Sequence, residues 1–283
     1  MASDTELSLS EAQFNRIRGI VRENTGISIA DNRTSLLLSR LRSRLRETRD
    51  PDFKAYIHRV TSDSSELQEL IDRVTTNKTF FYRTPRIWDH FRNAAIQDFV
   101  ARPPRRPMRI WSAASSTGEE AFTAGMMLET VRAARSGFDY RILGTDISSK
   151  VVRLAEAGQY AAPALAQLRT GATDLFQQYV HGDDASGYRI APAIKERVSF
   201  KLHNLLKPLS GGSWFDVVFL RNVLIYFTPE DQQTILRQVR HAMSPDAVLY
   251  IGESESISRL QTDFEIVEPM IYRPATSGEG HPA

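Results

Sequence analysis

The stretch Arg109-Ile-Trp-Ser-Ala-Ala-Ser-Ser-Thr-Gly-Glu-Glu-Ala121 decides the fold of this 283-residue chain. Its apolar start predicts a strand, its small polar centre predicts a tight loop, and its end predicts the first turn of a helix. A second strand is predicted at Ile142-Leu-Gly-Thr-Asp-Ile147, one strand–helix–strand unit later. This alternation predicts an α/β fold in which a parallel sheet presents the loop to a ligand.

The predicted ligand-facing loop offers carboxylates in place of a glycine-rich turn. A dinucleotide site uses several glycines to bring backbone N–H groups to a pyrophosphate, whereas this loop contains only Gly118. Glu119, Glu120 and Asp146 would repel a pyrophosphate and favour a ligand that carries positive charge or hydroxyl groups. S-adenosylmethionine has both features, namely a sulfonium with an ammonium group and a ribose. The loop therefore argues against a nicotinamide-dependent dehydrogenase.

The composition is that of an ordinary globular protein. Hydrophobic residues make up 41% and charged residues 25% of the chain, and a net charge of only +2 gives no general attraction to nucleic acid. The absence of Cys excludes thiolate metal sites, and the six His show no close pairing, so we expect no metal. The start of the chain lacks a signal-peptide pattern and no apolar run could span a bilayer, so we expect a cytoplasmic protein without membrane insertion.

The first part of the chain, residues 1–85, predicts a small all-helical domain. Apolar residues recur there at helical spacing in four short runs. Ser8 and Glu11 predict a capping box for the first helix, Asp50-Pro51 predicts the start of the third, and Asp63 predicts the cap of the fourth.

The second part, residues 86–274, alternates strand-like with helical runs, which predicts a mostly parallel sheet covered by helices. The tail at 275–283 is rich in Gly, Pro and Ser and is predicted to be disordered. The predicted strands lie at residues 108–112, 140–145, 198–202, 215–220, 247–251, 264–267 and 270–273.

One connection in this second part is too long for a simple α/β unit. About 40 residues separate the helix ending near Gly158 from the strand at 198–202, whereas such connections usually have about two to six residues. Within it, Gly182-Asp-Asp-Ala-Ser-Gly187 lies between two strand-like runs and predicts a hairpin. We therefore expect an inserted antiparallel β-subdomain at about residues 159–196.

Six motifs follow one another along the chain in the order found in a single family. The motifs are Thr75-Thr-Asn-Lys-Thr-Phe-Phe-Tyr-Arg83, Trp111-Ser-Ala-Ala-Ser-Ser-Thr-Gly-Glu-Glu120, Gly144-Thr-Asp-Ile147, Asn204-Leu-Leu206, Arg221-Asn-Val-Leu-Ile-Tyr-Phe227 and Gly252-Glu-Ser-Glu-Ser256. Together they resemble the chemotaxis receptor glutamate methyltransferases, the CheR family, from the N-terminal helices to about residue 273. The resemblance implies a Rossmann-like S-adenosylmethionine-dependent methyltransferase domain with an inserted antiparallel β-subdomain, preceded by a small all-helical domain.

The resemblance also implies a reaction and a set of cofactor-binding residues. Methylation of receptor glutamates would consume S-adenosylmethionine and give glutamyl 5-O-methyl esters and S-adenosylhomocysteine. By motif position, the cofactor-binding residues are Asn77, Thr79, Arg83, Glu120, Asp146, Asn204, Leu205, Arg221 and Asn222.

Simpler structural roles remain open for several of these residues. Asp146 and Glu120 occupy positions where acids also cap a helix or complement its dipole. Asn204 and Asn222 follow strands and suit turns. Arg221 could pair with Asp216.

The acceptor determines which catalytic groups the protein must provide. A glutamate has an ordinary pKa near 4.3, so it is already ionised at neutral pH and requires no general base. Positioning of the two reactants should then dominate catalysis. Arg83 and Tyr226 are the predicted catalytic residues, because they would orient the acceptor carboxylate; Tyr226 could instead be a packing aromatic.

The second predicted helix is rich in arginine and is predicted to dock the substrate protein. The resemblance implies that this partner is the cytoplasmic helical region of chemoreceptors, whose methylatable glutamates make it anionic. A solvated charged face is the alternative for these arginines. The predicted docking residues are Arg40, Arg42, Arg44, Arg46 and Arg49.

We expect a monomeric enzyme that does not bind nucleic acid. The alternatives are a methyltransferase for a different protein or a small-molecule carboxylate, and a non-catalytic receptor-binding adaptor.

Overall fold

The computed structural model describes residues 9–29, 34–102, 106–210 and 214–275, apart from the side chains of Thr34 and Leu36. Ser8 of the predicted capping box and residues 276–283 of the predicted tail lie outside these ranges.

The N-terminal part forms a helical module around its own core. Its apolar stripes converge on buried side chains such as Ile17, Leu41, Tyr56 and Leu70, which is the arrangement expected when short amphipathic helices bury one face each. The helices are α1 (Glu11–Thr25), α2 (Thr34–Thr48), α3 (Phe53–Ser62) and α4 (Ser64–Val74).

Two helix starts differ from the prediction. The capping box of α1 is formed by Ser10 and Gln13, since Ser10 Oγ accepts from the Gln13 N–H at 3.2 Å and Gln13 Oε1 accepts from the Ser10 N–H at 3.0 Å. Helix α3 is capped by Asp52, whose carboxylate accepts from the backbone N–H three residues on. Asp50 instead pairs with Arg59 at 2.9 Å. In both cases a second capping residue lay nearby in the sequence, so pattern alone could not place the start.

The remaining strands and helices form an α/β layer structure, as predicted. Within the described residues, one sheet has the order β6-β2-β1-β7-β8-β10-β9, and its first five members are parallel, whereas β10 is antiparallel to both neighbours. The strands of this sheet are β1 (Met108–Ala113), β2 (Tyr140–Asp146), β6 (Val198–Leu202), β7 (Phe215–Leu220), β8 (Met243–Ile251), β9 (Phe264–Glu268) and β10 (Ile271–Pro274).

Both faces of this sheet are covered by helices. Alternate residues of β1 show the two faces, because Ile110 packs with Phe122 in one core and Trp111 packs with Ile235 in the other. The helices are α5 (Pro85–His90), a π-helical segment (Phe91–Ala95), α6 (Ile96–Ala101), α7 (Glu119–Ala134), α8 (Ser149–Ala157) and α12 (Pro229–Ala242).

The predicted inserted β-subdomain is present as an antiparallel sheet with the order β3-β5-β4. The predicted hairpin is formed by β4 and β5, but helices occupy much of the insert, which the strand-like runs alone did not indicate. Its elements are β3 (Gln159–Tyr160), α9 (Ala162–Gly171), α10 (Thr173–Tyr179), β4 (Val180–Asp183), β5 (Gly187–Ile190) and α11 (Pro192–Lys195).

Hydrogen bonds attach the helical module to the α/β part at two places. On one side, the Asp72 carboxylate of α4 accepts from the Ser149 hydroxyl at 2.7 Å and from the Lys150 N–H at 3.1 Å, at the start of α8. On the other side, the Ser28 N–H donates to the Tyr226 carbonyl at 2.8 Å. These two attachments lie on either side of a cleft between the module and the sheet.

Candidate active site

The cleft lies at the carboxyl ends of β1, β2, β6 and β7, and the helical module forms its roof. The empty space in the cleft, including its open mouth, is about 1330 Å³. Strand order reverses between β1 and β7, and such a switch point is where α/β sheets bind ligands. The cleft lining brings together all the predicted cofactor-binding residues: Asn77, Thr79, Arg83, Glu120, Asp146, Asn204, Leu205, Arg221 and Asn222.

Arg221 and Glu120 form a buried ion pair in the cleft wall, after β7 and β1, the two strands between which the strand order reverses. Arg221 Nη1 contacts Glu120 Oε2 at 3.0 Å, and the two side chains are 3% and 14% exposed. Ser112 Oγ donates to the other Glu120 oxygen at 2.7 Å, and Arg221 Nη2 donates to the Arg83 carbonyl at 2.8 Å. Burial raises the pKa of Glu120 and lowers the pKa of Arg221, and their attraction opposes both shifts.

The alternative in which Arg221 pairs with Asp216 is wrong. Asp216 lies at the opposite end of β7 and pairs with Arg106 at 2.7 Å. A strand carries its first and last residues to opposite edges of the sheet, so a short separation in sequence does not bring these two side chains together.

Asp146 at the end of β2 combines a structural role with a position in the cleft. Its carboxylate accepts from the backbone N–H groups of Ser116 at 2.9 Å and Ser148 at 3.0 Å, which fixes the two turns beside it. Burial raises the pKa of Asp146, and these hydrogen bonds oppose the shift. An ionised carboxylate can accept about four hydrogen bonds, so the ribose role predicted for Asp146 remains sterically and chemically open.

The segment between the helical module and the sheet supplies one wall of the cleft. Ser116 Oγ donates to the Asn77 carbonyl at 2.9 Å, which ties this segment to the loop after β1. Among the residues that the structure describes, the Arg83 guanidinium makes one long hydrogen bond of 3.5 Å, to the Lys78 carbonyl, and it lies 5.5 Å from the centre of the Phe80 ring. Much of the hydrogen-bonding capacity of Arg83 is therefore available to a ligand.

The two asparagines also shape turns, as their structural alternatives predicted. Asn204 Oδ1 accepts from the Leu206 N–H at 3.0 Å, and its amide donates to the Asn24 carbonyl at 3.0 Å. Asn222 adopts a left-handed backbone with φ of 59°. A turn role and a ligand role are compatible here, because both residues line the cleft.

Left-handed backbone is concentrated around this cleft. Non-glycine residues with positive φ include Tyr82, Thr84, Ala114, Ser116 and Asn222, all in segments that approach the cleft. Such conformations cost about 1–3 kcal/mol each and cluster at functional sites, where the surrounding structure enforces them.

Gly118 has a packing role next to the cleft. Its φ is 95°, and a Cβ there would lie 3.0 Å from the Ala155 Cβ and 3.0 Å from the Phe200 ring. This glycine therefore lets α7 begin close to the neighbouring helix and strand. Glu119, the first residue of α7, accepts from the Thr117 hydroxyl and has its pKa raised by burial.

The predicted docking arginines separate into two groups. Arg40 donates to the carbonyls of Arg73 at 2.7 Å and Thr75 at 3.2 Å, and it lines the cleft. Arg44 forms a bidentate ion pair with Glu66, in which Nε donates to Oε1 at 2.9 Å and Nη2 donates to Oε2 at 2.6 Å. Arg40 and Arg44 therefore stabilise the packing of the helical module itself. Their spacing in the sequence did not indicate this role.

The other predicted docking residues are more accessible. Arg46 and Arg49 are exposed, and Arg42 is partly exposed. Their docking role stays a prediction.

The sequence predictions missed two polar side chains that line the cleft, Ser115 and His203. Ser115 Oγ, His203 Nε2 and Arg221 Nε are buried and have no hydrogen-bond partner among the residues that the structure describes. Burial lowers the pKa of His203, which favours its neutral form. Unsatisfied buried polar atoms around one cleft indicate that it is built for a polar ligand. His203 follows β6 directly, and that position was the only sequence signal for it.

Comparison with known proteins identifies this architecture. Residues 77–272 match the family model for the CheR methyltransferase SAM-binding domain, and residues 12–75 match the model for the CheR methyltransferase all-alpha domain. The chain belongs to the CheR methyltransferase family. Its cofactor is S-adenosylmethionine, and the carboxylates and unsatisfied polar atoms of the cleft fit such a cationic, hydroxyl-bearing ligand.

Relatives of the CheR family match nearly the whole chain. The chemotaxis protein methyltransferase of Klebsiella aerogenes is 33% identical over 276 residues, covering 94% of this chain and 90% of the relative. That of Escherichia coli is 32% identical over 273 residues, covering 94% and 92%. Chemotaxis protein methyltransferase 1 of Pseudomonas aeruginosa is 28% identical over 274 residues, covering 94% and 99%.

Two kinds of feature are absent from the described part of this CheR-family chain. No group of three or more His, Asp or Glu side chains in it is arranged to hold a metal ion. None of its helices combines the length and apolar character required to cross a bilayer.

Proposed function

We propose that this protein methylates glutamate side chains on chemoreceptor-like signalling proteins, giving glutamyl 5-O-methyl esters and S-adenosylhomocysteine. The proposal rests on one observation: the two walls of the cleft carry side chains of opposite charge. Glu120 and Asp146 lie on the sheet side, whereas Lys78 and Arg83 line the side formed by the interdomain segment. This arrangement suits a cationic methyl donor next to an anionic acceptor.

The residues of the cleft are proposed to act by positioning. S-adenosylmethionine supplies an activated methyl group when it is bound. Arg83 is proposed to donate hydrogen bonds to one oxygen of the acceptor carboxylate. Its guanidinium makes only one long hydrogen bond of 3.5 Å within the described residues, so its other N–H groups can bind a ligand. Tyr226 lines the same cleft and is proposed to orient the same carboxylate. Alignment of two bound reactants can lower a barrier by roughly 7–11 kcal/mol, so these contacts suffice without a general base.

The neutral state favoured for His203 is consistent with this scheme. Burial lowers the pKa of this imidazole, so it adds no positive charge to the region where a sulfonium would bind. A neutral ring with one unsatisfied nitrogen can donate or accept a hydrogen bond, which suits recognition of a polar ligand group.

The substrate protein is proposed to dock on the exposed arginines at the end of α2 and directly after it. Arg46 and Arg49 are exposed on the helical module, and this module also roofs the cleft. A receptor helix that carries several carboxylates would be attracted to this surface, and the attraction would be screened by salt. The names of the relatives, chemotaxis protein methyltransferases, support a chemoreceptor as the partner.

One labelling experiment tests the proposal. The protein is incubated with S-adenosylmethionine labelled in its methyl group and with membranes that contain chemoreceptors. Label that is released as methanol by mild alkali would identify a carboxylate ester, and mass spectrometry of receptor peptides would locate the glutamates. Alkali-stable label would indicate another acceptor group, and binding to receptors without transfer would favour the non-catalytic adaptor.

Arg83→Lys and Tyr226→Phe provide the matched variants for this experiment. Both keep much of the side-chain volume, but the lysine loses the planar fork of donors and the phenylalanine loses the hydroxyl. If these residues orient the acceptor, both variants slow transfer strongly.

A further inference from the structure

We infer that Glu255 is a positioning residue that fixes the active-site loop following β7. Its carboxylate accepts hydrogen bonds from four backbone N–H groups. Oε2 accepts from Asn222 at 2.6 Å and from Gly252 at 2.8 Å. Oε1 accepts from Val223 at 2.8 Å and from Leu224 at 2.7 Å.

These four N–H groups point toward one place from two different segments. Three come from consecutive residues, 222–224, at the end of β7, and the fourth comes from Gly252, just past β8. Several backbone N–H groups that converge in this way form an anion-binding concavity. Here the anion is the protein's own carboxylate, and hydrogen bonds to a charged acceptor are roughly twice as strong as those between neutral groups.

The loop held by Glu255 carries residues of the active site. Arg221 and Asn222 lie at its start and Tyr226 lies near its end, and all three line the cleft. Asn222 has a left-handed backbone, which must be enforced by its surroundings. Glu255 is not among the described residues that line the cleft, so it acts on the ligand through the loop.

Gly252 allows this contact. A Cβ at this position would lie 2.5 Å from Glu255 Oε2 and 2.8 Å from the Asn222 nitrogen, and both distances are too short for a real side chain. Glu255 and Gly252 therefore form one unit that brings the end of β8 against the loop after β7. The motif Gly252-Glu-Ser-Glu-Ser256 thus has a structural function, through the partly buried Glu255, that its polar composition did not indicate.

A purely stabilising role for Glu255 would have a different consequence from a positioning role. If Glu255 only stabilises the fold, its loss lowers the free energy of unfolding but leaves the affinity of the folded protein for ligand unchanged. If it positions the loop, the folded protein also binds its cofactor product more weakly. Binding of S-adenosylhomocysteine depends on the family's cofactor site and not on the identity of the acceptor, so this readout is independent of the glutamate proposal.

The test compares Glu255→Gln with Glu265→Gln. The first exchange removes the charge and turns an amide N–H₂ toward donors, whereas the second removes the same charge from an exposed position on β9. Titration calorimetry with S-adenosylhomocysteine should show a loss of about tenfold or more for Glu255→Gln and no change for Glu265→Gln. Gly252→Ala should reproduce the loss, because its methyl group displaces the Glu255 carboxylate. Unchanged affinity in a folded Glu255→Gln protein would overturn the inference.

The unmodified protein provides a second measurement in case the variants do not fold. Amide hydrogen exchange should be slow at residues 222–224, although Asn222 and Val223 lie outside any helix or strand. Exchange at these amides as fast as in an open loop would also overturn the inference, because it would show that the four hydrogen bonds are not maintained.

Discussion

Replacement of Arg221 by Met should destabilise this protein far more than the loss of one surface charge. The exchange keeps an unbranched side chain but leaves the Glu120 carboxylate buried with Ser112 as its remaining described partner. Removal of one member of a buried pair costs about 3–5 kcal/mol, because the other charge loses its compensation. Such a loss is a large fraction of the roughly 5–15 kcal/mol that stabilises a typical domain.

The destabilisation should depend on pH in a defined direction. Burial already raises the pKa of Glu120 above its ordinary value of 4.5, and loss of Arg221 removes the main opposing interaction. Between the ordinary and the raised pKa, the folded state binds more protons than the unfolded state, so stability falls as pH rises through this window. The penalty of the variant should therefore be larger at neutral pH than at lower pH and should shrink as the pH falls toward the ordinary pKa of a glutamate.

Chemical denaturation at several pH values measures both effects. Arg102→Met is the matched control, because it removes an arginine from an ion pair in which the Arg102 and Asp246 side chains are 62% and 68% exposed, and we expect a cost of at most about 1 kcal/mol. The double variant Arg221→Met with Glu120→Gln should recover part of the loss and lose the pH dependence. A loss below about 1 kcal/mol for Arg221→Met at neutral pH would refute the reasoning, since it would mean that Glu120 is not held in an uncompensated buried state.

Three further predictions concern the cofactor, the substrate protein and packing. Asp146→Asn should weaken S-adenosylhomocysteine binding by roughly tenfold to a hundredfold in calorimetry, because one charged acceptor is lost; equal affinity would argue against contact with the ribose. Replacement of both Arg46 and Arg49 by Glu should slow the methylation of intact receptors and reduce the salt dependence of this rate, while the affinity for the cofactor stays unchanged. The control Arg237→Glu, on α12, should have little effect on the methylation rate. Gly118→Ala should lower the free energy of unfolding by about 1–3 kcal/mol, because the new methyl group would lie 3.0 Å from Ala155 and Phe200 and because φ is 95° at this position. An unchanged melting temperature in thermal denaturation would show that the start of α7 can shift to make room.

The structural role of Asp146 determines which variant best tests its contact with the ligand. Its carboxylate accepts from the buried Ser148 N–H and the partly buried Ser116 N–H, so replacement by Ala would remove both hydrogen bonds and would cost about 1–3 kcal/mol for the buried group alone. Asn retains one oxygen acceptor and is therefore the better variant for measuring the affinity alone.

The order of helices and strands could be predicted because local patterns determine it. Ile110 and Trp111 are apolar in succession, as expected for a strand buried on both faces, and Asp63 could be recognised as a cap because capping requires only neighbouring residues. The family motifs likewise placed six of the nine cofactor-binding candidates after strand ends, which a parallel sheet brings to one edge, and the other three, Asn77, Thr79 and Arg83, on the segment between the two domains. Helix starts were less certain, as Ser10 and Asp52 show.

The partners of charged side chains were decided by the tertiary structure. The five arginines of residues 40–49 looked alike in sequence, yet Arg40 binds carbonyls at the end of α4 and Arg44 binds Glu66, because α4 packs next to α2. Arg221 pairs with Glu120 across 101 positions of sequence, and Glu255 reaches a loop 31–33 positions away. Spacing along one helix or strand contains no information about such contacts. They depend on which elements become neighbours once the apolar faces are buried, and that arrangement exists only in the folded chain.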